Sequence, residues 1–212
     1  MKSLKIIFRG LLLLGVFVVF NASMCSEDPE FLEANANGYY FVGVVDQSGA
    51  RGIGHLGFFL VSPTEIRYSS LNWNKSKNFV SEEVTQTDFN TLYQVLINEN
   101  PDYKPAEAAL SKMITDMQRY EYGFYLKVDK TTFDEMKNYT RNYSMDFNPL
   151  TNNCIHYFRS VLGIANPNAL NVNVDWNFDF AITDFSNLCS AVNGNSFTNY
   201  KYWLKEVAKL RR

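Results

Sequence analysis

The chain is poor in the residues that would fix its chemistry at a glance. Only three cysteines occur among 212 residues. They form no C-x-x-C pair and no Cys/His ladder of zinc type, so neither a disulfide-dense scaffold nor a structural metal defines the fold. Only two histidines are present, His55 and His156, which leaves a short choice for a general base near neutral pH. Positive charge is not in excess. The formal charge of −2 becomes about −5 when Lys2, Lys5 and Arg9 are set aside with the first 25 residues, since all 22 acids lie further on. That balance disfavours nucleic acid as a partner. The N-terminal apolar run, Leu11 to Phe20, is about half the roughly 20 residues needed to cross a bilayer. No internal repeat and no low-complexity linker is visible. What the chain does have is 46% hydrophobic and 16% aromatic residues, enough for one well-buried core.

The first 25 residues read as a targeting segment, with Lys2, Lys5 and Arg9 around and before the apolar run and small or polar residues from Asn21 to Ser26. Two routes of processing remain open. Cys25, followed by Ser26-Glu27-Asp28-Pro29, resembles the lipidated cysteine of bacterial lipoproteins, and Ala22 and Ser23 fit that pattern. Met24, bulkier than the usual residue before such a cysteine, favours ordinary signal-peptidase cleavage nearby. Both routes place the mature protein outside the cytoplasm of a bacterium, where free thiols can be oxidised. The first adds membrane attachment through Cys25. Residues 26–38 then form a flexible tether, and 39–212 one domain.

Within that domain the patterns mix strands and helices, an α+β order. The run YYFVGVV from Tyr39 predicts a strand, and Gly49, Gly52 and Gly54 punctuate the loop after it. His55 to Val61 and Glu65 to Ser70, joined by Ser62-Pro63-Thr64, predict an antiparallel hairpin. Val84, Phe89, Leu92, Val95 and Leu96 recur at helical spacing behind Ser81-Glu82-Glu83, predicting a helix over Ser81 to Leu96. Ala106 to Met117 repeats that signal, Gly123 to Val128 alternates as a strand, and Lys130-Thr131-Thr132 opens a helix burying Phe133, Met136 and Tyr139. Cys154 to Leu162 has a helical period with Gly163 as its stop. Beyond Asn166 only a terminal helix, Asn199 to Leu210, stands out. Asp175, Asp179 and Asp184 lack the spacing and glycine of a calcium loop and are expected to be solvated.

The chemistry-bearing residue is Cys154. Thr151, Asn152 and Asn153 before it are capping residues, so its sulfur is expected in the first turn of a helix, where free N–H groups and the dipole lower a thiol pKa. His156, two residues on, points to a different side of the same helix and is a poor base for its neighbour. His55, at the start of an apolar strand, is the better base. Cys154 could instead pair with Cys189 as a structural disulfide. Phe58, Phe59, Tyr157 and Phe158 are expected in the core.

Gly54-His55-Leu56-Gly57-Phe58-Phe59-Leu60 resembles the "H-x-G-[hydrophobic]-[aromatic]" strand of the circularly permuted NlpC-type papain-like hydrolases. Asn153-Cys154-Ile155-His156-Tyr157-Phe158 is similar to their "N-C-x-H-[aromatic]" helix. The order, histidine strand first and cysteine helix last, is that of lecithin:retinol acyltransferase-like proteins and permuted papain-fold isopeptidases. The resemblance covers about residues 39–163 and leaves 164–212 as a C-terminal extension. It implies a permuted papain-like fold, with an antiparallel sheet against a cysteine-bearing helix. It also implies that Cys154 attacks an acyl carbon while His55 carries the proton. The residue that orients the imidazole would come from the next strand, where family members often have a second histidine and this chain has Arg67, Tyr68, Ser69 and Ser70. Arg67 has no acceptor for an imidazole N–H, so Ser69 or Asn72 is the chemical candidate. Tyr143 resembles a tyrosine that helps the oxyanion hole, beside the backbone N–H of Cys154. The implied activity is an exported cysteine hydrolase cleaving an amide in cell-wall peptide, without metal or cofactor. A lipid acyltransferase or thioesterase of the same fold, and a non-catalytic binding module, are the alternatives.

Overall fold

Large apolar side chains on both faces of its strands give this chain a sheet buried on two sides, with helices above and below. The computed structural model describes residues 37–48, 54–72, 80–81, 85–98, 108–145, 148–174, 181–197 and 199–212. The leader, Cys25, tether residues 26–36, Asp175 and Asp179 lie outside them. Among the described residues no helix is long and apolar enough to cross a membrane.

The strands are β1 (Tyr39–Asp46), β2 (His55–Val61), β3 (Glu65–Ser69), the short pair β4 (Leu71–Asn72) and β5 (Val80–Ser81), β6 (Thr85–Asp88), β7 (Tyr122–Val128) and β8 (Asn195–Phe197). Six of them form one antiparallel sheet in the order β6-β3-β2-β1-β7-β8. The helices are α1 (Phe89–Ile97), α2 (Ala108–Arg119), α3 (Lys130–Arg141), α4 (Cys154–Ala165), α5 (Ala181–Ala191) and α6 (Tyr200–Leu210), with a 3-10 turn at Pro167–Asn171. The α+β class expected from the sequence is present.

Period-two alternation sorts the strand residues between two cores. Tyr40, Val42, Val44, Phe59, Val61 and Tyr68 pack with α1, α2 and α6 on one face. Phe41, Val45, Leu56, Phe58, Leu60 and Phe124 pack with α3, α4 and α5 on the other. The expected core aromatics Phe58, Phe59, Tyr157 and Phe158 are all buried. The segment read as an extension contributes α5, β8 and α6, so residues beyond 163 build both cores. Its last helix is tied to the sheet by Arg211, which donates to the Gly38 carbonyl at 2.7 Å and to that of Ser62, and lies over the Tyr40 and Phe89 rings.

Several local expectations are corrected. The helix expected from Ser81 starts at Phe89, after strand β6, because Asp88 is the residue whose side chain accepts from the Thr91 N–H. Gly163 does not stop α4. The helix runs on to Ala165, and Gly163 serves packing instead, since a Cβ there would lie 2.5 Å from a Leu170 methyl group. Helix α5 and strand β8 were not visible in the Asn-rich tail. Asp184, expected in solvent, is 3% exposed in the first turn of α5.

Candidate active site

One end of the sheet gathers the C-terminus of β1, the first residue of β2, the end of α2 and the first turn of α4. Helix α4 begins where Asn153 caps it. The Asn153 side-chain oxygen accepts from the N–H groups of Ile155 at 3.0 Å and His156 at 3.2 Å, and lies 2.8 Å from His156 Nδ1. His156 is therefore a partner of the capping residue. Behind the cap, Asn148 and Asn152 exchange backbone hydrogen bonds of 2.8 and 2.9 Å. Tyr143 donates its hydroxyl to the Asn152 side chain, and its ring meets that of Tyr157 at 4.4 Å. Tyr143 thus braces the turn before Cys154, where the resemblance had assigned it to an oxyanion hole. Asn153→Ala removes an acceptor shared by two helix N–H groups and should cost about 1–2 kcal/mol in urea unfolding, while Asn153→Asp should restore most of it.

Cys154 and Cys189 are both free thiols, so the disulfide alternative does not describe this structure. The Cys154 sulfur faces the backbone N–H groups of Leu56, of Ile155 and of Cys154 itself. Its pKa nevertheless moves opposite to the expectation. Burial pushes the thiol up and outweighs the three N–H groups and the Arg119 guanidinium charge, all of which pull it down. At neutral pH the resting group is a thiol. Burial also pushes Cys189 up, to about 11.

His55 opens β2, opposite Asp46 of β1. Its Nε2 lies 2.5 Å from the Ser70 hydroxyl, which also donates to the Leu56 carbonyl at 3.3 Å. The direction of the His55–Ser70 hydrogen bond follows the ring's tautomer, since both the hydroxyl and a ring nitrogen can donate or accept. Ser70 thus holds the place next to the imidazole that the sequence reading gave to Ser69 or Asn72. Ser69 faces the other way and exchanges a 2.7 Å hydrogen bond with Tyr157. Arg67, on the same side as Ser69, pairs with Glu65 at 3.1 Å and donates to Gln86. The side chain of Asn72 lies outside the described residues.

The structure therefore brings the Cys154 sulfur against the backbone of the residue after His55, while strand alternation turns the His55 ring to the opposite face. There it stacks on Tyr120 at 6.2 Å, level with Gly57 and Phe59. Arg119 completes this end of the sheet. Its guanidinium lies 5.4 Å from the centre of the Tyr120 ring, and its Nε is 3.7 Å from a carboxylate oxygen of Asp46, whose side chain is 4% exposed. Asp46 also accepts from the N–H and the hydroxyl of Ser48, each at 2.9 Å. Sequence reasoning passed over Asp46, Arg119 and Tyr120 because each joins the site through register or helix packing. Ser70 alone carried a signal, since, one residue past the end of β3, it has the parity of Tyr68. No family model, curated protein or solved structure matches this chain.

Proposed function

We propose that this chain is an exported cysteine hydrolase of permuted papain-like type that cleaves an amide in cell-wall peptide. Cys154 is the nucleophile and His55 the base. The observation that carries the reading is the Cys154 sulfur in the first turn of α4, against the Leu56 N–H and one residue from His55. The Leu56, Ile155 and Cys154 N–H groups that face the sulfur also suit an oxyanion forming beside it. Because burial keeps the resting sulfur protonated, attack requires a base at the moment of bond formation. In this reading the His55 imidazole takes the thiol proton as sulfur adds to the acyl carbon and returns it to the leaving amine, which requires the ring to turn from its Tyr120 side toward the sulfur, and water then releases the acyl-enzyme. Ser70 orients the ring through its hydrogen bond with Nε2.

The test is the pH dependence of iodoacetamide labelling at Cys154. With His55 in place, the rate should show a lower limb that depends on the imidazole as well as an upper limb above the usual thiol range. His55→Ala should remove the lower limb and leave the upper one, because a raised thiol pKa means little thiolate at neutral pH. Digestion of cell-wall peptide or of lipid esters by the same variants then separates amidase from acyltransferase. A second reading, a binding module that keeps the fold without turnover, is favoured by the raised thiol and by the imidazole lying on the opposite face from α4. A single high-pH limb, identical in the wild type and His55→Ala, selects it.

A further inference from the structure

Helix α6 carries Lys201, Lys205 and Lys209, spaced four apart and so along one side of the helix. Like charges at that spacing repel. Helix α1, which packs against α6, reads FNTLYQVLI and brings no charge to answer them. Among the described residues neither Lys201 nor Lys205 meets a carboxylate. The Lys201 ammonium donates to the Gln118 carbonyl at 3.4 Å, a long contact that uses at most one of its three N–H groups. Burial pushes the Lys201 pKa down, so this ammonium has lost water without gaining a countercharge.

Lys201 and Lys205 line a cavity of about 350 Å³ between α1, α2 and α6. Its deep wall is apolar. Val95, Ile114 and Met117 line it and are 7%, 9% and 3% exposed, and Leu96 continues the same wall. The cavity borders the core on the face of the sheet away from α4 and Cys154. An apolar wall beside two uncompensated ammonium groups suits a ligand with an aliphatic body and an anionic head. A small anion would leave the wall wet, and a neutral chain would leave the two cations unanswered. The volume lies at the lower end of the range of about 300–1,000 Å³ for small-molecule sites, which fits one chain better than two.

We propose that this cavity binds a single-chain aliphatic carboxylate, with its chain along Val95, Leu96, Ile114 and Met117 and its head between Lys201 and Lys205. The site is separate from the thiol and stands whether or not Cys154 is a nucleophile.

Titration calorimetry of the full chain with decanoate, kept below its micelle concentration, tests this. One decanoate should bind per chain. Acetate, the head without the chain, and decyltrimethylammonium, the chain with the opposite charge, should each bind at least about tenfold more weakly. Lys201→Met and Lys205→Met should each weaken decanoate about fivefold, because each removes one partly desolvated countercharge. Lys209→Met removes the same charge from the same side of α6 but outside the cavity, and should change the affinity less than about twofold. Without ligand, Lys201→Met and Lys205→Met should unfold in urea no earlier than the wild type, since each relieves a like-charge pair. No decanoate binding, or equal affinity in the wild type and the Lys201→Met/Lys205→Met double variant, overturns the proposal. Equal weakening by Lys209→Met also overturns it, since that result would describe attraction to the helix surface and no pocket.

Discussion

Phe158→Ala should lower the free energy of unfolding by about 3–5 kcal/mol, the range for truncating a fully buried aromatic side chain. Phe158 lies one turn into α4 from Cys154 and is 0% exposed. Its ring meets Phe41 at 5.2 Å, Phe185 at 5.9 Å, Phe124 at 6.0 Å and Phe58 at 6.1 Å, so four elements converge on it. Opposite it, β1 carries Gly43, where an added Cβ would come within 2.6 Å of the ring tip. A large residue on the helix and the smallest on the strand let α4 approach the sheet closely. That approach brings the Cys154 turn level with the first residues of β2. Truncating the ring leaves a cavity that rigid neighbours cannot fill. Phe158→Leu, which keeps most of the volume, should cost clearly less. Urea unfolding of the two variants measures the difference. A loss for Phe158→Ala within the ~0.5 kcal/mol typical of surface positions would mean that α4 is not seated on this cluster. The functional corollary is that Phe158→Ala should also disturb Cys154 labelling, because the helix start moves with the helix body.

The parts of this protein that sequence makes legible are those whose signal is local. Cys154 behind Asn153 is an example: a capping residue followed by apolar spacing of helical period declares a helix start, and the cap forms as expected. The hairpin of β2 and β3 is another, since Ser62-Pro63-Thr64 separates two apolar runs of strand length. What was not legible depends on long-range pairing. Ser69 and Ser70 differ by one residue, and along an extended chain one residue reverses the face, so Ser69 reaches Tyr157 on the α4 side while Ser70 reaches His55. The parity was available from Ile66 and Tyr68 only once it was known which face those residues bury. The thiol pKa failed for a similar reason. Capping residues predict the N–H groups around Cys154, but the burial that outweighs them comes from tertiary packing, which has no pattern along the chain. Asp46 and Arg119, 73 residues apart in sequence, are neighbours because β1 pairs with β7, and α2 ends just before β7 at that corner.

That corner has a fixed point in Gly54, and Gly54→Ala should cost about 2–4 kcal/mol, more than the usual effect of adding one methyl group. Two independent penalties act there. The residue has φ of +94°, a region that side-chain-bearing residues adopt only with strain. A Cβ would also lie 2.6 Å from the Ala181 Cβ at the start of α5 and 3.2 Å from the Asp46 carbonyl oxygen, so both strand and helix would have to give way. Because Gly54 immediately precedes His55, relief of that strain would displace the first residue of β2, and with it the Nε2 contact to Ser70 and the Leu56 N–H that faces the sulfur. The stability loss should therefore come with a change at Cys154, whereas a purely structural glycine would give the first without the second. The double substitution Gly54→Ala with Ala181→Gly removes the steric part and keeps the backbone part. It should recover some stability, leaving roughly the 1–2 kcal/mol of a strained positive φ. Full recovery in the double variant would assign the whole cost to the contact with α5, and no cost in Gly54→Ala would show that β2 does not enter the sheet through this conformation.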